Sequence, residues 1–230
     1  MAELILALDT PRAADALKLL DRLPGLEWVK VGSILMTREG PDFIRQLTDR
    51  GLKVFLDLKW HDIPNTVAGA VTAAREIGVS MATLHILGGQ AMLEAAVVAA
   101  GREISLVGVT VLTSHESAGY ARALGRSEAD IPREAERLAL VGAEAGLQGV
   151  VCSPQEVSLL RRRLGPEPRI VVPGIRQRTD AIGDQARVAT AKDAVANGAT
   201  HLVVGRPVLQ AADPAATLES FMEEVRCIGT

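Results

Sequence analysis

Eight short apolar runs, each followed by a stretch of helical pattern, recur from one end of this 230-residue chain to the other. They are Glu3 to Leu8, Leu26 to Val31, Leu52 to Leu58, Ser80 to Ile86, Ile104 to Val111, Leu147 to Cys152, Arg169 to Val172 and Thr200 to Val204. Between them, apolar residues fall at helical spacing, as in Ala16, Leu17, Leu20 and Leu23, or Val67, Ala70, Val71 and Ala74. Eight strand-helix units in a chain of this length match a (β/α)₈ TIM barrel, with residues 1–230 as a single domain. A doubly wound sheet would use about five or six strands and a glycine-rich first turn. The chain has neither GxGxxG nor the GxxxxGK of a phosphate loop. One connection is long: Thr113 to about Pro132, polar and glycine-bearing, reads as a binding loop or lid.

In such a barrel every active-site group projects from the C-terminal rim, so the strand ends can be read together. The third strand runs out into Asp57-Leu58-Lys59-Trp60-His61-Asp62-Ile63-Pro64-Asn65-Thr66. Asp57 and Lys59, two apart on a strand, share a face. Pro64 is placed like the first residue of a helix and pushes Ile63 out of the helical region, which leaves Asp62 in the strand-to-helix turn. Strand one ends in Asp9, strand two in Lys30 before Val31-Gly32, strand five in Thr110 and Thr113, strand seven in Gly174-Ile175-Arg176 and strand eight in Gly205-Arg206. The chain holds five lysines against twenty arginines, yet two of the five fall at the rims of neighbouring strands. The glycine-arginine pairs suit a phosphate: backbone N–H groups cradle the anion and guanidinium forks clamp it.

Composition removes several other functions. With 3% aromatic residues and a net charge of -3, no basic stripe interleaves with stacking aromatics, so a nucleic-acid surface is not expected. No apolar stretch reaches the roughly 18 residues of a membrane span, and the first residues, MAELILALDT, lack the features of a signal peptide, so a cytoplasmic location is expected. Cys152 and Cys227 are far apart without CxxC spacing, and His61, His85, His115 and His201 show no ligand spacing; a metal is not indicated.

The set LALD at Leu6 to Asp9, VKVG at Val29 to Gly32, FLDLKWHDIPNT at Phe55 to Thr66, VTVLTS at Val109 to Ser114, PGIR at Pro173 to Arg176 and VVGRP at Val203 to Pro207 resembles bacterial orotidine 5'-phosphate decarboxylases. The correspondence runs in order over essentially the whole chain, and DxKxxDIPNT is specific to that family, whereas glycine-arginine turns occur in many phosphate-binding barrels. The resemblance implies a cofactor-free decarboxylation of orotidine 5'-monophosphate to UMP in a homodimer with shared active sites. It implies that Lys30, Asp57, Lys59 and Asp62 form a charged catalytic array, with Asp62, Ile63 and Thr66 reaching into the partner's site. Lys59 would donate the proton to C6 of the ring, Asp9 and Lys30 would hold ribose hydroxyls, and Thr113 would face the pyrimidine. Gln185, Arg176, Gly205 and Arg206 would bind the phosphate.

Losing CO₂ from C6 leaves a vinyl carbanion in the ring plane with no carbonyl or imine to delocalise it, so a fixed ammonium beside C6 is the available stabiliser and then the acid. The alternatives are a metal-dependent sugar-phosphate decarboxylase or aldolase of the same barrel superfamily, and a non-catalytic barrel that binds a phosphate ligand. The first needs an acidic metal ligand where this chain has Lys30; the second would be favoured by a missing charge, and none is missing.

Overall fold

Valine, isoleucine and leucine dominate the strand runs because a parallel sheet inside a ring of helices is buried on both faces. The computed structural model describes residues 2–177 and 189–226. Its strands are β1 (Glu3–Ala7), β2 (Trp28–Gly32), β3 (Lys53–Trp60), β4 (Met81–His85), β5 (Ser105–Val109), β6 (Gly149–Val151), β7 (Arg169–Val172) and β8 (His201–Val204). Each pairs in parallel with the next, and β8 closes on β1, so the sheet is a barrel in sequence order. All eight expected strands are present, several with ends shifted by a residue or two.

The helices are α1 (Ala13–Leu20), α2 (Ser33–Glu39), α3 (Pro41–Asp49), α4 (Pro64–Glu76), α5 (Gln90–Ala100) and α6 (Ser117–Ala123). After these come α7 (Ile131–Glu144), α8 (Val157–Leu164), α9 (Ala191–Ala196), α10 (Arg206–Leu209) and α11 (Pro214–Arg226). The stretch from Thr113 to Pro132 is therefore not a plain loop, since it contains α6. Tyr120 is buried there and meets His115 edge to face, with ring centroids 5.6 Å apart. Seven residues are too few for a periodic pattern to stand out from polar loop sequence, which is why the helix was not expected.

Side-chain alternation divides the core in two. Outward residues of the strands, among them Val29, Val31, Leu56 and Leu84, pack with Phe43, Ile44 and Leu47 of α3 and Val67 and Val71 of α4. Inward residues Ile5, Ala7, Trp28, Phe55, Met81, Val107, Val171 and Val203 fill the barrel itself. Because inward positions recur every second residue, the position after Trp28 is Lys30, after Phe55 is Asp57, and after Met81 is Thr83. The apolar filling thus passes directly into polar groups toward the C-terminal rim. No helix among the described residues is long and apolar enough to cross a membrane.

The opposite end of the barrel holds a buried histidine. His201 is 6% exposed, lies edge-on to Trp28 at 5.7 Å, and has Nδ1 2.9 Å from the Thr200 hydroxyl. Burial first, then the cations of Arg169 and Lys53, push its pKa from 6.5 down to about 4. Its ring is therefore neutral at pH 7, and the Glu3 carboxylate 3.6 Å from Nε2 is a polar neighbour rather than an ion-pair partner.

The unfolded chain takes up a proton at His201 below about pH 6.5 while the folded barrel resists it down to about pH 4, so protonation favours unfolding. The stability conferred by the neutral ring is present above pH 6.5 and falls by up to about 3 kcal/mol as the pH drops to 4. Urea unfolding across that interval should show a shallower pH dependence in His201→Gln than in the parent; equal slopes would assign the loss to other groups.

Candidate active site

The C-terminal mouth of the barrel opens into a cavity of about 640 Å³. Asp9, Lys30, Gly32, Asp57, Lys59, Thr113, Gly174, Arg176, Gly205 and Arg206 all line it, over a floor that includes Phe55, Val171 and Val203. Strands 1, 2 and 3 carry the alternating charges, and the ends of β7 and β8 carry the glycine-arginine pairs.

The charges form a chain. Lys30 Nζ lies 3.1 Å from Asp9 Oδ1 and 3.7 Å from Asp57 Oδ2, and Lys59 Nζ lies 2.9 Å from Asp57 Oδ1. Lys30 and Asp57 are mostly buried, with side chains 12% and 14% exposed. Burial by itself would push the Asp57 carboxyl up, but Lys30 and Lys59, with hydrogen bonds from Lys59 and the Thr83 hydroxyl, outweigh it and hold the group below the ordinary carboxylate range. Asp57 is thus a carboxylate between two ammonium groups. Gly32 pairs with Asp57 across the β2–β3 ladder, and a side chain there would press on Lys30 Nζ, since an added Cβ would stand 3.3 Å from it. A glycine at that position leaves the ammonium its place.

Asp57 and Lys59 do meet, although not by plain strand alternation. The β3–β4 register jumps between Leu56 opposite Ala82 and Trp60 opposite Leu84. Within this bulge Lys59 has φ +54°, the one positive value among described residues other than glycine. That left-handed conformation costs a side-chain-bearing residue roughly 1–2 kcal/mol, and bulges near active sites commonly re-aim a side chain. Half-buried Trp60 follows and packs against the outer core.

The turn after β3 behaves as the proline implies: Ile63 is extended (φ -61°, ψ 153°) and Pro64 opens α4. Asp62, Ile63 and Thr66 are all exposed, and none of them lines the cavity of their own chain. Asp62 Oδ1 accepts a hydrogen bond from its neighbour's Ile63 N–H at 2.7 Å, and Ile63 is 66% exposed. Thr110 is buried and donates its hydroxyl to Val151 O at 3.0 Å, a structural contact between β5 and β6. Arg176 is buried with Nη1 donating to Ile175 O at 2.9 Å, and Gly174 takes φ +82°, a conformation suited to glycine. Gly205 precedes α10, which begins at Arg206. Gln185 lies outside the described residues.

His61 and His85 stack with ring centroids 5.6 Å apart. Burial, then the neighbouring charges of His61, Lys59 and His115, lowers the His85 pKa below the ordinary imidazole value. Thr83, fully buried on β4, touches both Asp57 and the Lys59 backbone. No sequence signal marks it: its column on β4, Met81, Thr83 and His85, is already mixed in character.

This arrangement accompanies a close relationship to known proteins. A family model described as orotidine 5'-phosphate decarboxylase / HUMPS family matches residues 2–221. The chain belongs to that family. An orotidine 5'-phosphate decarboxylase of Halorhodospira halophila is 49% identical over 231 residues, covering 98% of this chain and 97% of the relative. One from Vibrio campbellii is 47% identical over 234 residues, with 97% of each chain covered. Among solved structures, an orotidine 5'-phosphate decarboxylase from Lactobacillus acidophilus superposes with a TM-score of 0.87 at 35% identity, covering 98% of this chain and 99% of that one. The Lactobacillus acidophilus protein thus shares the fold over nearly its whole length.

Removing the central carboxylate leaves Lys30 and Lys59 without their common counter-charge. Asp57→Asn should lose about 2–4 kcal/mol in urea unfolding at pH 7, at or below the range for breaking a buried ion pair because Lys59 is partly solvated. Adding Lys59→Met to Asp57→Asn should cost less than the sum of the two single changes. Strict additivity would show that the two groups do not interact.

Proposed function

We propose that this chain decarboxylates orotidine 5'-monophosphate to UMP and CO₂ without a cofactor, in the cytoplasm, as a step of pyrimidine nucleotide synthesis. The observation that carries the reading is the run of alternating charges Asp9, Lys30, Asp57 and Lys59 on one wall of the cavity, with Arg176 and Arg206 lining the same cavity. The family and its relatives support it.

In this reading the phosphate is gripped by Arg176, Gly205 and Arg206, with Gln185 as a further contact. Asp9 and Lys30 hold the ribose hydroxyls, and Thr113 faces the base. The C6 carboxylate is then directed at Lys59. As the C6–C7 bond breaks, its electron pair stays on C6 in the ring plane, and the Lys59 ammonium stabilises that charge before transferring a proton to C6. CO₂ leaves, and Lys59 regains a proton from water. Asp57, ionised between its two ammonium neighbours, holds the Lys59 ammonium in place without having to change its charge during the reaction. Phosphate binding is remote from C6, so it raises the rate only by ordering this array or closing the mouth over it.

The metal-dependent alternative is less consistent with the geometry. The space between Asp9 and Asp57, where a divalent cation would draw on both carboxylates, is taken by Lys30 Nζ. Following the absorbance of orotidine 5'-monophosphate should show turnover that EDTA leaves unchanged, and Lys59→Ala should abolish it while UMP still binds. Restoration by Mg²⁺ after chelation, or Lys59→Ala turnover within tenfold of the parent, would overturn the assignment.

The site is completed by a second copy of the chain. Support comes from the turn that carries Asp62, Ile63 and Thr66, which stands exposed, with a large apolar side chain at its tip, away from the cavity of its own subunit. In a two-fold dimer each turn would enter the other site. Lys59→Ala and Asp62→Ala should each be nearly inactive as homodimers, whereas a mixed dimer places both lesions in one site and leaves the other intact. Re-associating equal amounts makes about half the dimers mixed, so roughly a quarter of parental activity should return. No recovery, with subunit exchange shown independently, would return Asp62 to its own subunit's site.

A further inference from the structure

We infer that Thr83 is a positioning residue for the charged array: its single hydroxyl fixes the backbone of Lys59 and the carboxylate of Asp57 at once. The inference rests on the proposed role of Lys59 as proton donor.

Two hydrogen bonds meet at Thr83 Oγ1. It accepts from the Lys59 N–H at 2.8 Å and donates to Asp57 Oδ1 at 3.0 Å. The same Asp57 oxygen accepts from Lys59 Nζ at 2.9 Å. The contacts close a ring that runs from the Lys59 backbone through the hydroxyl to the carboxylate and back through the Lys59 side chain. Both ends of one lysine are thereby referred to a single oxygen of Asp57.

The bulge explains why a hydroxyl is needed. A regular ladder would direct a backbone N–H of β3 to a β4 carbonyl, but the register jump between Leu56 and Trp60 gives the Lys59 N–H to the Thr83 side chain. A buried donor without a partner is costly, and Lys59 holds a left-handed conformation that needs outside support. The acceptor must also donate onward to a carboxylate, and a hydroxyl does both with one atom. Thr83 is fully buried, and its β-branch restricts the rotation that would carry Oγ1 away. An acceptor-only or apolar side chain would satisfy at most one of the two bonds.

Thr83 does not line the cavity, so it reaches the substrate through Asp57 and Lys59. Its loss should slow chemistry and leave ligand binding nearly unchanged. Thr83→Val keeps the shape and removes the hydroxyl; a misplacement of order 1 Å at the reacting groups lowers kcat on the order of 100-fold. KM and UMP affinity should move less than threefold. Thr83→Ser, which restores the oxygen, should return kcat to within about tenfold of the parent. A purely structural role predicts another pattern, in which kcat per folded molecule is retained in Thr83→Val and only the folded fraction falls. That result, or equal kcat in Thr83→Val and Thr83→Ser, would overturn the inference. If Thr83→Val does not fold, Thr83→Ala against Thr83→Ser decides by the same comparison. A parent with no decarboxylase activity would sink the proposed function itself, whereas an active parent indifferent to Thr83 would sink this inference alone.

Discussion

A layer of apolar side chains inside the barrel supports what lies at its mouth. Ile5, Trp28, Phe55, Met81, Val107, Val171 and Val203 fill the interior, so water approaches the charged groups from the open end. The next inward positions on β2, β3 and β4 have nowhere to go but the rim, and there Lys30, Asp57 and Thr83 converge. Charges set on an apolar base interact more strongly than they would in water, which is how Asp57 remains ionised despite its burial.

The mouth divides its labour by strand. Those early in the chain supply alternating full charges at fixed separations, a pattern suited to a localised carbanion. Those late in the chain supply glycine next to arginine, a pattern suited to an anion that does not react. The first region has to be rigid to be useful. The left-handed backbone at Lys59 shows strain held in place by its surroundings, and the bond to Thr83 is among the contacts that hold it.

Much of this was legible in the residues. The strand count and closure followed from eight apolar runs, because burial on both faces leaves an unbroken signature. Asp9, Lys30, Asp57 and Lys59 could be placed together because a barrel sends its strand ends to one rim. Three things were not legible, each for a physical reason. Helix α6 is held by Tyr120 and Ala121 against the body, a tertiary contact with too short a period to see in sequence. The bulge at Lys59 depends on pairing with β4, and alternation within β3 carries no trace of it. Thr83 matters through two hydrogen bonds from another strand, whereas a threonine in a strand is unremarkable in itself.

The chain has two tryptophans, and the barrel sets them at opposite ends. Trp28 belongs to the inner filling beside His201, and Trp60 directly follows Lys59 at the rim. The fold thereby carries its own pair of optical reporters. Emission from Trp60 senses the outer packing where β3 ends, and emission from Trp28 senses the inner filling of the barrel. Loosening of one end while the other stays packed would be visible in the native chain's fluorescence without any attached dye.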